Sequence, residues 1–465
     1  MSAPFRVADA VQWTAGRLSG GDASLVLGGV STDTREALTG CLFVAIRGPH
    51  HDAHAYLAQA LAGGASALLV ERADAVPAGT SVPVVVVEDT TVALGALAAG
   101  HRRTFAGPVV AITGSNGKTT TKEMCAALLA VGRPTHKNRG NLNNAYGLPL
   151  TLLDRETEHE AMVVEIGMNH RGEIAPLARI AAPTVGVVTN VGTAHIEHLG
   201  SQDEIAREKG DLVAALPTGA TAVLNGDDAR VLAQAERTSA RVLRFGRGDR
   251  CDVRADRVTD LRGAFGFDLV MPQGTRAVEV GGLGEPTVAN ALAAAASAGA
   301  AGASLDEIAA GFATYRPPSG RMAPLRLAGG TTVIDDTYNA NPQSVAAALE
   351  SLARLAGPGR GVAVVGDMGE LGAHTLEAHR ETGALAARLG VGALVALGAH
   401  AEVVAEAGRA AGLGGAQVRV ARGHEDAARA ARQLAGEDDW ILVKGSRAMQ
   451  MERVVEALSR PEGTP

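Results

Sequence analysis

The segment Gly-Ser-Asn-Gly-Lys-Thr-Thr at residues 114–120 constrains the fold of this chain more than any other. It follows an apolar run at 108–113 and precedes a segment with helical character at 121–131. A strand, a glycine turn and a helix in this order bind nucleotide phosphate, because backbone N–H groups and the positive end of the helix dipole surround the phosphate oxygens. The predicted phosphate-binding residues are Gly114, Ser115, Asn116, Gly117, Lys118, Thr119 and Thr120.

Within this loop, Lys118 supplies a full positive charge and the Thr119 hydroxyl is placed to bind Mg²⁺. The loop is shorter than the common phosphate-binding loop, since Ile112 stands where that pattern has its first glycine. A turn that only caps a helix is the simpler interpretation. The Lys-Thr-Thr sequence after the second glycine favours nucleotide binding instead.

Length and composition predict a folded α/β protein of several domains. A chain of 465 residues is too long for one ordinary core. Hydrophobic residues make up 46% of it but aromatic residues only 3%, which suits small side chains packed between helices and parallel strands. The net charge of -7 provides no general attraction to nucleic acid or anionic lipid.

Cysteine usage and hydropathy predict a cytoplasmic protein. The three cysteines, Cys41, Cys125 and Cys251, are far apart, so neither a disulfide framework nor a zinc site is expected. The N-terminus lacks the pattern of a signal peptide, and the Ala-rich stretch 288–303 is predicted to be a buried helix rather than a membrane span. We expect a monomer without membrane insertion.

Three blocks follow one another, and each alternates strands with helices. Residues 1–106 are predicted to form a small α/β domain, 107–318 a central ATPase-like domain with a parallel sheet, and 319–465 a Rossmann-like domain. The Pro/Gly-rich segment 315–320 reads as the linker before the third block, and residues 461–465 are expected to be frayed. The predicted strands are 41–46, 67–70, 82–87, 109–113, 161–166, 184–190, 220–225, 332–336, 362–366, 393–398, 417–421 and 440–443.

Polar residues at strand ends are the candidates for chemistry in the central block. Glu165 ends a buried strand in the same block as the phosphate loop, where a carboxylate can meet Mg²⁺. His195 and His198 follow the strand at 184–190, and spacing alone leaves a structural or a ligand role open for both. Lys209 lies on a predicted helix, where a solvated charge is the ordinary interpretation.

The third block carries a second polar cluster. Asp-Asp-Thr-Tyr-Asn-Ala-Asn-Pro at residues 335–342 follows a strand, and such side chains bind hydroxyl, amide and carboxylate groups of ligands or cap the next helix. Gly-Asp-Met-Gly-Glu-Leu-Gly at 366–372 and Lys-Gly-Ser-Arg at 444–447 follow two further strands. Lys444 or Arg447 is expected to bind a substrate carboxylate.

Taken together, these motifs resemble the Mur ligases, ATP-dependent amide-forming enzymes of peptidoglycan synthesis. The resemblance covers essentially the whole chain. Within the family, the three third-block motifs are similar to those of the branch that joins D-alanyl-D-alanine to UDP-N-acetylmuramoyl-tripeptide. The resemblance implies that ATP phosphorylates the tripeptide carboxylate and that the dipeptide amine attacks the acyl phosphate.

The resemblance also implies roles for single residues. Thr119, Glu165 and His195 correspond to magnesium-site residues, and Lys209 to the lysine that CO₂ converts to a carbamate. Lys118, Lys209, His195 and Arg321 are then the catalytic candidates. On the nucleotide side, Asn290 and one of the pair Asn143 and Asn144, taken as Asn144, correspond to adenine contacts, Arg321 to an interdomain phosphate contact and Asp336 to a ribose contact. On the substrate side, Ser31, Asp33, Thr34 and Arg35 resemble the UDP-sugar site, and Asn339 and Asn341, with Lys444 and Arg447, are candidates for D-alanyl-D-alanine binding.

Departures and alternatives remain. The family usually has His-Asn shortly before its adenine asparagine, whereas this chain has Pro286 and Thr287, and Met322 follows Arg321. The ligase that adds the third stem residue is an alternative, but its Asp-Asn-Pro-Arg motif is not found here. A folylpolyglutamate-type ligase would not be expected to have this first block. A nucleotide-dependent regulatory protein is the alternative from another class.

Overall fold

A computed structural model describes residues 2–48 and 51–460. These residues form three large sheets and one short two-stranded ribbon. Each large sheet lies within one of the three predicted blocks. The predicted α/β class with parallel-rich sheets is confirmed. Residues 461–465 lie outside the described residues. No helix in the described part of the chain is long and apolar enough to cross a membrane.

The first sheet is a small, mostly parallel layer. Its order is Arg17–Ser19, Val84–Val86, Ala67–Val70, Cys41–Val44 and Gly29–Ser31, with the first strand antiparallel. Phe5–Arg6 and Val26–Leu27 form the separate antiparallel ribbon. The helices of this block are Val7–Thr14, Leu57–Ala62 and Thr90–Arg103, with 3₁₀ turns at Ala53–Tyr56 and Ala73–Ala75.

The central sheet has nine strands and holds the phosphate loop in its middle. Its order is Gly274–Gly281, Ala264–Met271, Val253–Asp260, Arg241–Gly246, Thr221–Asn225, Val185–Val188, Val109–Thr113, Ala161–Glu165 and Thr135–Lys137. Strand Val109–Thr113 pairs in parallel with Ala161–Glu165 on one side and Val185–Val188 on the other. From Val109–Thr113 the chain continues to Thr135–Lys137 on one side, and from Val185–Val188 it continues to Thr221–Asn225 on the other. This reversal between neighbouring strands opens the crevice where parallel sheets bind ligands.

Helices cover both faces of the central sheet, and the apolar residues beneath them form two separate cores. The α-helices of this block are Lys118–Ala130, Gly147–Leu153, Ile174–Ala181, Ile196–Leu199, Gln202–Ala214, Ala229–Leu232, Pro286–Ala300 and Leu305–Thr314, with a 3₁₀ turn at Ala233–Arg237. The predicted buried Ala-rich helix is thus Pro286–Ala300.

Five strands of the central sheet were not predicted as strands: Thr135–Lys137, Arg241–Gly246 and the three that follow Arg241–Gly246 in the sequence. Val253–Asp260, Ala264–Met271 and Gly274–Gly281 form an antiparallel extension of the sheet. Side chains of Ala264–Met271 alternate between partly exposed and buried positions, as expected for a strand that covers the core on one face. This period of two was the available signal in the sequence.

The third sheet has six strands, of which five are parallel. Its order is Ala323–Arg326, Thr332–Asp336, Trp440–Lys444, Val362–Gly366, Ala393–Leu397 and Val418–Ala421, with the first strand antiparallel. Its α-helices are Pro342–Ala356, Thr375–Arg388, Ala401–Ala410, His424–Leu434 and Glu452–Ser459, with 3₁₀ turns at Gly372–His374, Gly415–Gln417 and Arg447–Met449.

The first two blocks pack closely together. One apolar core contains residues of both, among them Leu94 and Val109. Helix Thr90–Arg103 carries Arg102, whose Nε and Nη2 donate to the carbonyl oxygens of Ala181 and Ala182 at 2.9 Å each. The precise boundaries at residues 106 and 318 stay predictions.

Candidate active site

A cavity of about 990 Å³ lies between the carboxyl edges of the central and third sheets. Both edges and the linker between the two blocks contribute to its wall. The predicted site residues that line it are Ser115, Asn116, Gly117, Lys118, Thr119, Thr120, Asn144, Glu165, His195, Asn290, Arg321, Asp336, Asn339, Asn341, Lys444 and Arg447. The fold therefore gathers residues from positions 115 to 447 at one place.

The phosphate loop can adopt its conformation because of its glycines. Gly117 has φ +79°, and a Cβ there would come within 2.2 Å of Asn290 Oδ1. Helix Lys118–Ala130 begins directly afterwards, so its N-terminus faces the cavity. The Ser115 hydroxyl oxygen is buried and lacks a hydrogen-bonding partner among the described residues. A phosphate oxygen would supply that partner.

Asn116 is held from two sides. Its backbone N–H donates to Asn190 Oδ1 at 2.9 Å, and Asn190 Nδ2 donates to its carbonyl oxygen at 3.0 Å. From the third block, Asn341 Nδ2 donates to Asn116 Oδ1 at 2.7 Å. Asn341 also caps helix Pro342–Ala356, because its Oδ1 accepts from the backbone N–H of Ser344. Asn341, a candidate for dipeptide binding, thus joins the third block to the phosphate loop.

Lys118 bends back over the loop, and its Nζ donates to the Gly114 carbonyl oxygen at 2.9 Å. Burial lowers the pKa of Lys118. The nearby carboxylate of Glu165 opposes this shift, whereas Arg321 adds to it. A bound polyphosphate would bring negative charge close to this ammonium and favour its charged form.

Glu165 and Thr119 form an oxygen-rich pair behind the phosphate loop. Glu165 is only 3% exposed. Its Oε2 accepts from the Thr119 hydroxyl at 2.9 Å, and its Oε1 accepts from Asn143 Nδ2 at 2.8 Å. Carboxylate and hydroxyl oxygens are the ligands that Mg²⁺ prefers, so these residues fit that ion.

Arg321 reaches into this pair from the linker. Its Nη2 donates to Thr119 Oγ1 at 3.0 Å, and its guanidinium lies 3.8 Å from the ring centroid of Tyr338. The aromatic face and the hydrogen bond together fix the planar guanidinium beside the phosphate loop. This position is compatible with the predicted phosphate contact.

Lys209 lies behind the cavity wall rather than in it. It is 1% exposed on helix Gln202–Ala214, and its side chain has no hydrogen bond or ion pair with any residue that the structure describes. Burial sets its pKa well below the ordinary value for lysine, the Lys118 charge lowers it further, and Glu208 partly opposes both. A lowered pKa favours the neutral amine, which is the nucleophile that carbamate formation from CO₂ requires.

His195 is the residue directly before the short helix Ile196–Leu199, and the His195 backbone is left-handed, with φ 64°. Its Nδ1 donates to Glu370 Oε2 of the third block at 2.5 Å. This hydrogen bond holds the pKa of Glu370 below its ordinary value. His198, by contrast, is exposed and packs on the ring of His170, with centroids 4.7 Å apart.

Asp336 and Lys444 are neighbours in register on adjacent strands of the third sheet. Lys444 Nζ donates to Asp336 Oδ2 at 2.5 Å and to the Asn339 carbonyl oxygen at 2.9 Å. The Lys444 side chain is only 2% exposed. Arg447 Nη2 pairs with Glu452 at 2.8 Å, and more than half of its side chain remains exposed. Of these two cations, Arg447 is the one that a substrate carboxylate can reach.

The predicted adenine-side residues lie near the phosphate loop. Asn290, on helix Pro286–Ala300, accepts from Thr121 Oγ1 at 3.4 Å and lies against Gly117. Asn144 Oδ1 accepts from the backbone N–H groups of Tyr146 and Gly147, so its side chain shapes a turn at the cavity wall. Pro286 is the first residue of its helix.

The first-block residues form a separate group. Ser31 Oγ donates to Glu36 Oε2 at 2.7 Å, and Arg35 Nε donates to Asp33 Oδ1 at 2.9 Å. Hydrogen bonds from the side chain and the backbone N–H of Arg35 lower the pKa of Asp33 to about 2. Ser31, Asp33, Thr34 and Arg35 are not among the described residues that line the cavity. Their role in binding a UDP-sugar stays a prediction.

Several residues of the cavity were not predicted from the sequence. Asn190 holds the phosphate loop, Gln343 accepts from the Thr193 hydroxyl at 3.0 Å, and Glu370 binds His195. Asn190 is the last residue of the predicted strand 184–190, which was an available signal. Glu370 and Gln343 act across the gap between blocks, and no local pattern identifies their partners.

Comparisons with known proteins agree with this arrangement. The family model described as "Mur ligase middle domain" matches residues 112–298, and the one described as "Mur ligase, glutamate ligase domain" matches residues 320–447. The phosphate loop lies within the first match, and the Asp336–Lys444 pair lies within the second.

Individual relatives extend the similarity to the whole length. The chain is 39% identical over 452 residues, or 95% of its length and 96% of the relative's, to UDP-N-acetylmuramoyl-tripeptide–D-alanyl-D-alanine ligase of Escherichia coli (strain K12). A crystal structure of MurF from Acinetobacter baumannii is 34% identical with a TM-score of 0.89, covering 98% of this chain and 99% of that one. MurF ligase from Thermotoga maritima, solved in complex with ADP, is 30% identical with a TM-score of 0.81, covering 93% and 97%.

Proposed function

The chain belongs to the Mur ligase family, within its UDP-N-acetylmuramoyl-tripeptide–D-alanyl-D-alanine ligases, and we propose that it uses ATP to join D-alanyl-D-alanine to UDP-N-acetylmuramoyl-tripeptide. The product is the UDP-linked pentapeptide of peptidoglycan synthesis. The observation that carries this proposal is one cavity that the phosphate loop of the central block and the polar strand ends of the third block line together.

Amide formation from a carboxylate needs an activation step. A carboxylate oxygen of the tripeptide attacks the γ-phosphorus of ATP, which gives an acyl phosphate and releases ADP. The amine of D-alanyl-D-alanine then attacks the acyl carbon, and the tetrahedral intermediate loses inorganic phosphate and a proton to leave the amide. Both steps concentrate negative charge, so positioned cations and exclusion of water carry much of the catalysis.

The phosphate loop and Arg321 are suited to hold the polyphosphate. Backbone N–H groups at the start of helix Lys118–Ala130 and the Lys118 ammonium face the cavity. Arg321, already hydrogen-bonded to Thr119, would contact the transferred phosphoryl group as well. Phosphate binding would move Lys118 Nζ away from the Gly114 carbonyl oxygen that it contacts now.

Mg²⁺, when bound, would neutralise phosphate charge and polarise the phosphoryl group. Thr119, Glu165 and His195 would hold it, together with Lys209 once this residue is carbamylated. The depressed pKa of Lys209 supports that modification, because only the neutral amine adds to CO₂. The resulting carbamate supplies an anionic oxygen where the unmodified chain has an amine.

The third block would bind the dipeptide. Its exposed cation at the cavity, Arg447, suits the carboxylate of D-alanyl-D-alanine. Lys444 is paired with Asp336. It would act by holding the Asp336 carboxylate and the Asn339 backbone in place. Asp336 would still accept a hydrogen bond from the ATP ribose, because it lines the cavity.

The proposal is tested by phosphate release from the purified full chain. Release should require ATP, UDP-N-acetylmuramoyl-tripeptide and D-alanyl-D-alanine together, and omission of any one should remove it. Tripeptides ending in lysine and in diaminopimelate are assayed in parallel, with a variant Lys118→Ala as the inactive reference. ATP turnover that is independent of both peptide substrates would instead favour a regulatory ATPase.

A further inference from the structure

Outside the phosphate loop, the described residues include a group of potential metal ligands, a buried lysine and a loop with a cavity-lining glutamate, and the last of these bears on the reaction. Asp367, His379 and His400 form a group of potential metal ligands, but their two rings are stacked, with centroids 4.4 Å apart, and His379 Nε2 already accepts from the Met368 backbone N–H. Lys122 is fully buried and donates to the Asn138 carbonyl oxygen, which is a structural role. The loop 366–372, with Glu370, is the third feature.

Glu370 belongs to the third block but contacts a residue of the central block. Its Oε2 accepts the Nδ1–H of His195 at 2.5 Å, over a separation of 175 residues. Gly372, in the same loop, lies against Glu197, which is two residues after His195. Glu370 and His195 both line the cavity between the two sheets. Their contact therefore spans the space in which ATP and the dipeptide amine would meet.

The backbone around this contact is held in an unusual conformation on both sides. Glu370 has φ 59° and His195 has φ 64°, and residues other than glycine rarely adopt this backbone region. Such conformations are strained and persist only where surrounding contacts enforce them. Both strained residues point toward one hydrogen bond, which links the strain to the site.

The base of loop 366–372 supplies the enforcing contacts. The Asp367 carboxylate accepts from the backbone N–H groups of Ala399 at 2.7 Å and His400 at 3.1 Å. The Asp367 carbonyl oxygen accepts from the Ser446 N–H, and His379 Nε2 accepts from the Met368 N–H. The loop is thereby fixed to three neighbouring segments of the third block before it reaches Glu370.

A carboxylate at Nδ1 determines the chemistry of the other ring nitrogen. Because Nδ1 carries the proton that it donates to Glu370, Nε2 of neutral His195 keeps its lone pair. Histidines that bind metals are commonly oriented by such a carboxylate, which raises the basicity of the ring. The orientation of His195 thus depends on where the third block places Glu370.

We propose that Glu370 is a positioning residue for ligation: it fixes the tautomer and orientation of His195 from the third block, so that His195 is ready only when that block faces the phosphate loop. This inference rests on the proposed function. A ligase with this device would form its acyl phosphate preferentially when the domain that binds the dipeptide is in place. The reactive acyl phosphate would then be less exposed to hydrolysis.

Two full-length variants of Glu370 and a matched control test the proposal. Glu370→Ala should lower kcat about 10–100-fold and weaken binding of Mg²⁺ with ADP, measured by calorimetry, by a similar factor. The KM for UDP-N-acetylmuramoyl-tripeptide should not change. Glu370→Gln, which keeps an accepting oxygen, should recover part of the loss. Glu377→Ala, an exposed glutamate of the same block, should behave as the unmodified chain.

Coupling to His195 separates positioning from a general structural effect. In a His195→Ala background, Glu370→Ala should have little further effect, since the two residues act through one contact. With ¹⁵N-labelled histidine, a downfield Nδ1–H resonance assigned to His195 should be present in the unmodified chain and absent in Glu370→Ala. Additive losses, or a resonance that persists in Glu370→Ala, would overturn the proposal. The resonance is read without turnover, so its outcome is independent of whether the ligase activity is found.

Discussion

The lysines at the two sheet edges that face each other across the cavity differ in their hydrogen-bonding partners. On the central side, Lys118 contacts only a carbonyl oxygen through its Nζ, and Lys209 is buried without a hydrogen-bonding partner among the described residues. On the third-block side, Lys444 is paired with Asp336 and donates to a backbone carbonyl as well. The lysines of the central edge have no carboxylate as a hydrogen-bonding partner among the described residues, whereas the lysine of the third edge is neutralised by one.

This difference indicates a division of labour. A cation such as Lys118, which lines the cavity without a paired carboxylate, attracts an anion strongly when it is partly desolvated, so the central edge is prepared for polyphosphate. A buried ion pair with its remaining hydrogen bonds satisfied mainly fixes geometry, so the third edge is a scaffold for nearby polar groups. The third block also places one carboxylate against the central block, that of Glu370, which contacts His195.

The largest effect is expected at the phosphate loop. Lys118→Ala should lower phosphate release by about 10²–10³-fold or more, because it removes a charge that stabilises the transferred phosphoryl group. The fold should be retained, as monitored by circular dichroism. Lys137→Ala removes a lysine that is paired with Glu123 near the same helix, and it should leave activity unchanged. Equal losses in both variants would contradict the assignment of Lys118 to phosphate.

Lys209→Ala tests whether the second unpaired lysine acts as a carbamate. Activity should fall by about 10²-fold, and small carboxylates such as acetate should restore part of it by supplying an anionic oxygen. Lys118→Ala, assayed at the same acetate concentration, should not recover. Full activity of Lys209→Ala without added carboxylate would refute the carbamate role, and the absence of rescue would leave Lys209 without support for it.

Lys444→Met tests the opposite edge. Removal of the cation leaves the Asp336 carboxylate largely buried without its partner, which should cost about 3–5 kcal/mol of folding free energy. Urea unfolding measures this loss. The double variant Asp336→Asn/Lys444→Met removes both charges and should recover part of the stability. If Lys444→Met were as stable as the unmodified chain, the pair would not be the scaffold inferred here.

Gly117→Ala tests the shape of the phosphate loop rather than its charge. The added Cβ would meet Asn290 at 2.2 Å in a left-handed backbone, so ADP affinity should fall by about tenfold. Gly140→Ala is the control, because Gly140 also has positive φ but nothing lies within 4 Å of the added Cβ. Gly140→Ala should lose about 1 kcal/mol of stability without losing ADP affinity. Calorimetric titration with ADP distinguishes the two.

The smallest effect concerns the pH dependence of stability. The pKa of Lys209 is lower in the folded than in the unfolded chain, so between these two values the unfolded state binds one more proton. Stability should therefore rise with pH across this interval, by at most about 1.4 kcal/mol per pH unit. Lys209→Met should remove that slope. Urea unfolding at several pH values without bicarbonate measures it, and identical slopes for both chains would contradict the burial of a neutral lysine.

Much of the fold could be predicted because its signals are local. Short apolar runs that end in polar residues identified most of the parallel strands, for example Ala161–Glu165 and Thr332–Asp336, but not Thr135–Lys137 or Arg241–Gly246. The antiparallel strands after Asn225 were missed, although Ala264–Met271 alternates with a period of two. Attention to buried parallel runs alone does not detect strands that cover the core on one face.

By itself, the sequence determined the fold class, the phosphate loop and the family, since each depends on a few adjacent residues. Only the tertiary structure decided how distant side chains combine. It buries Lys209 and depresses its pKa, pairs Lys444 with Asp336, and brings Glu370 to His195. The physical reason is that charge state and hydrogen bonding depend on desolvation and on distances between atoms, which the spacing of residues along the chain does not specify.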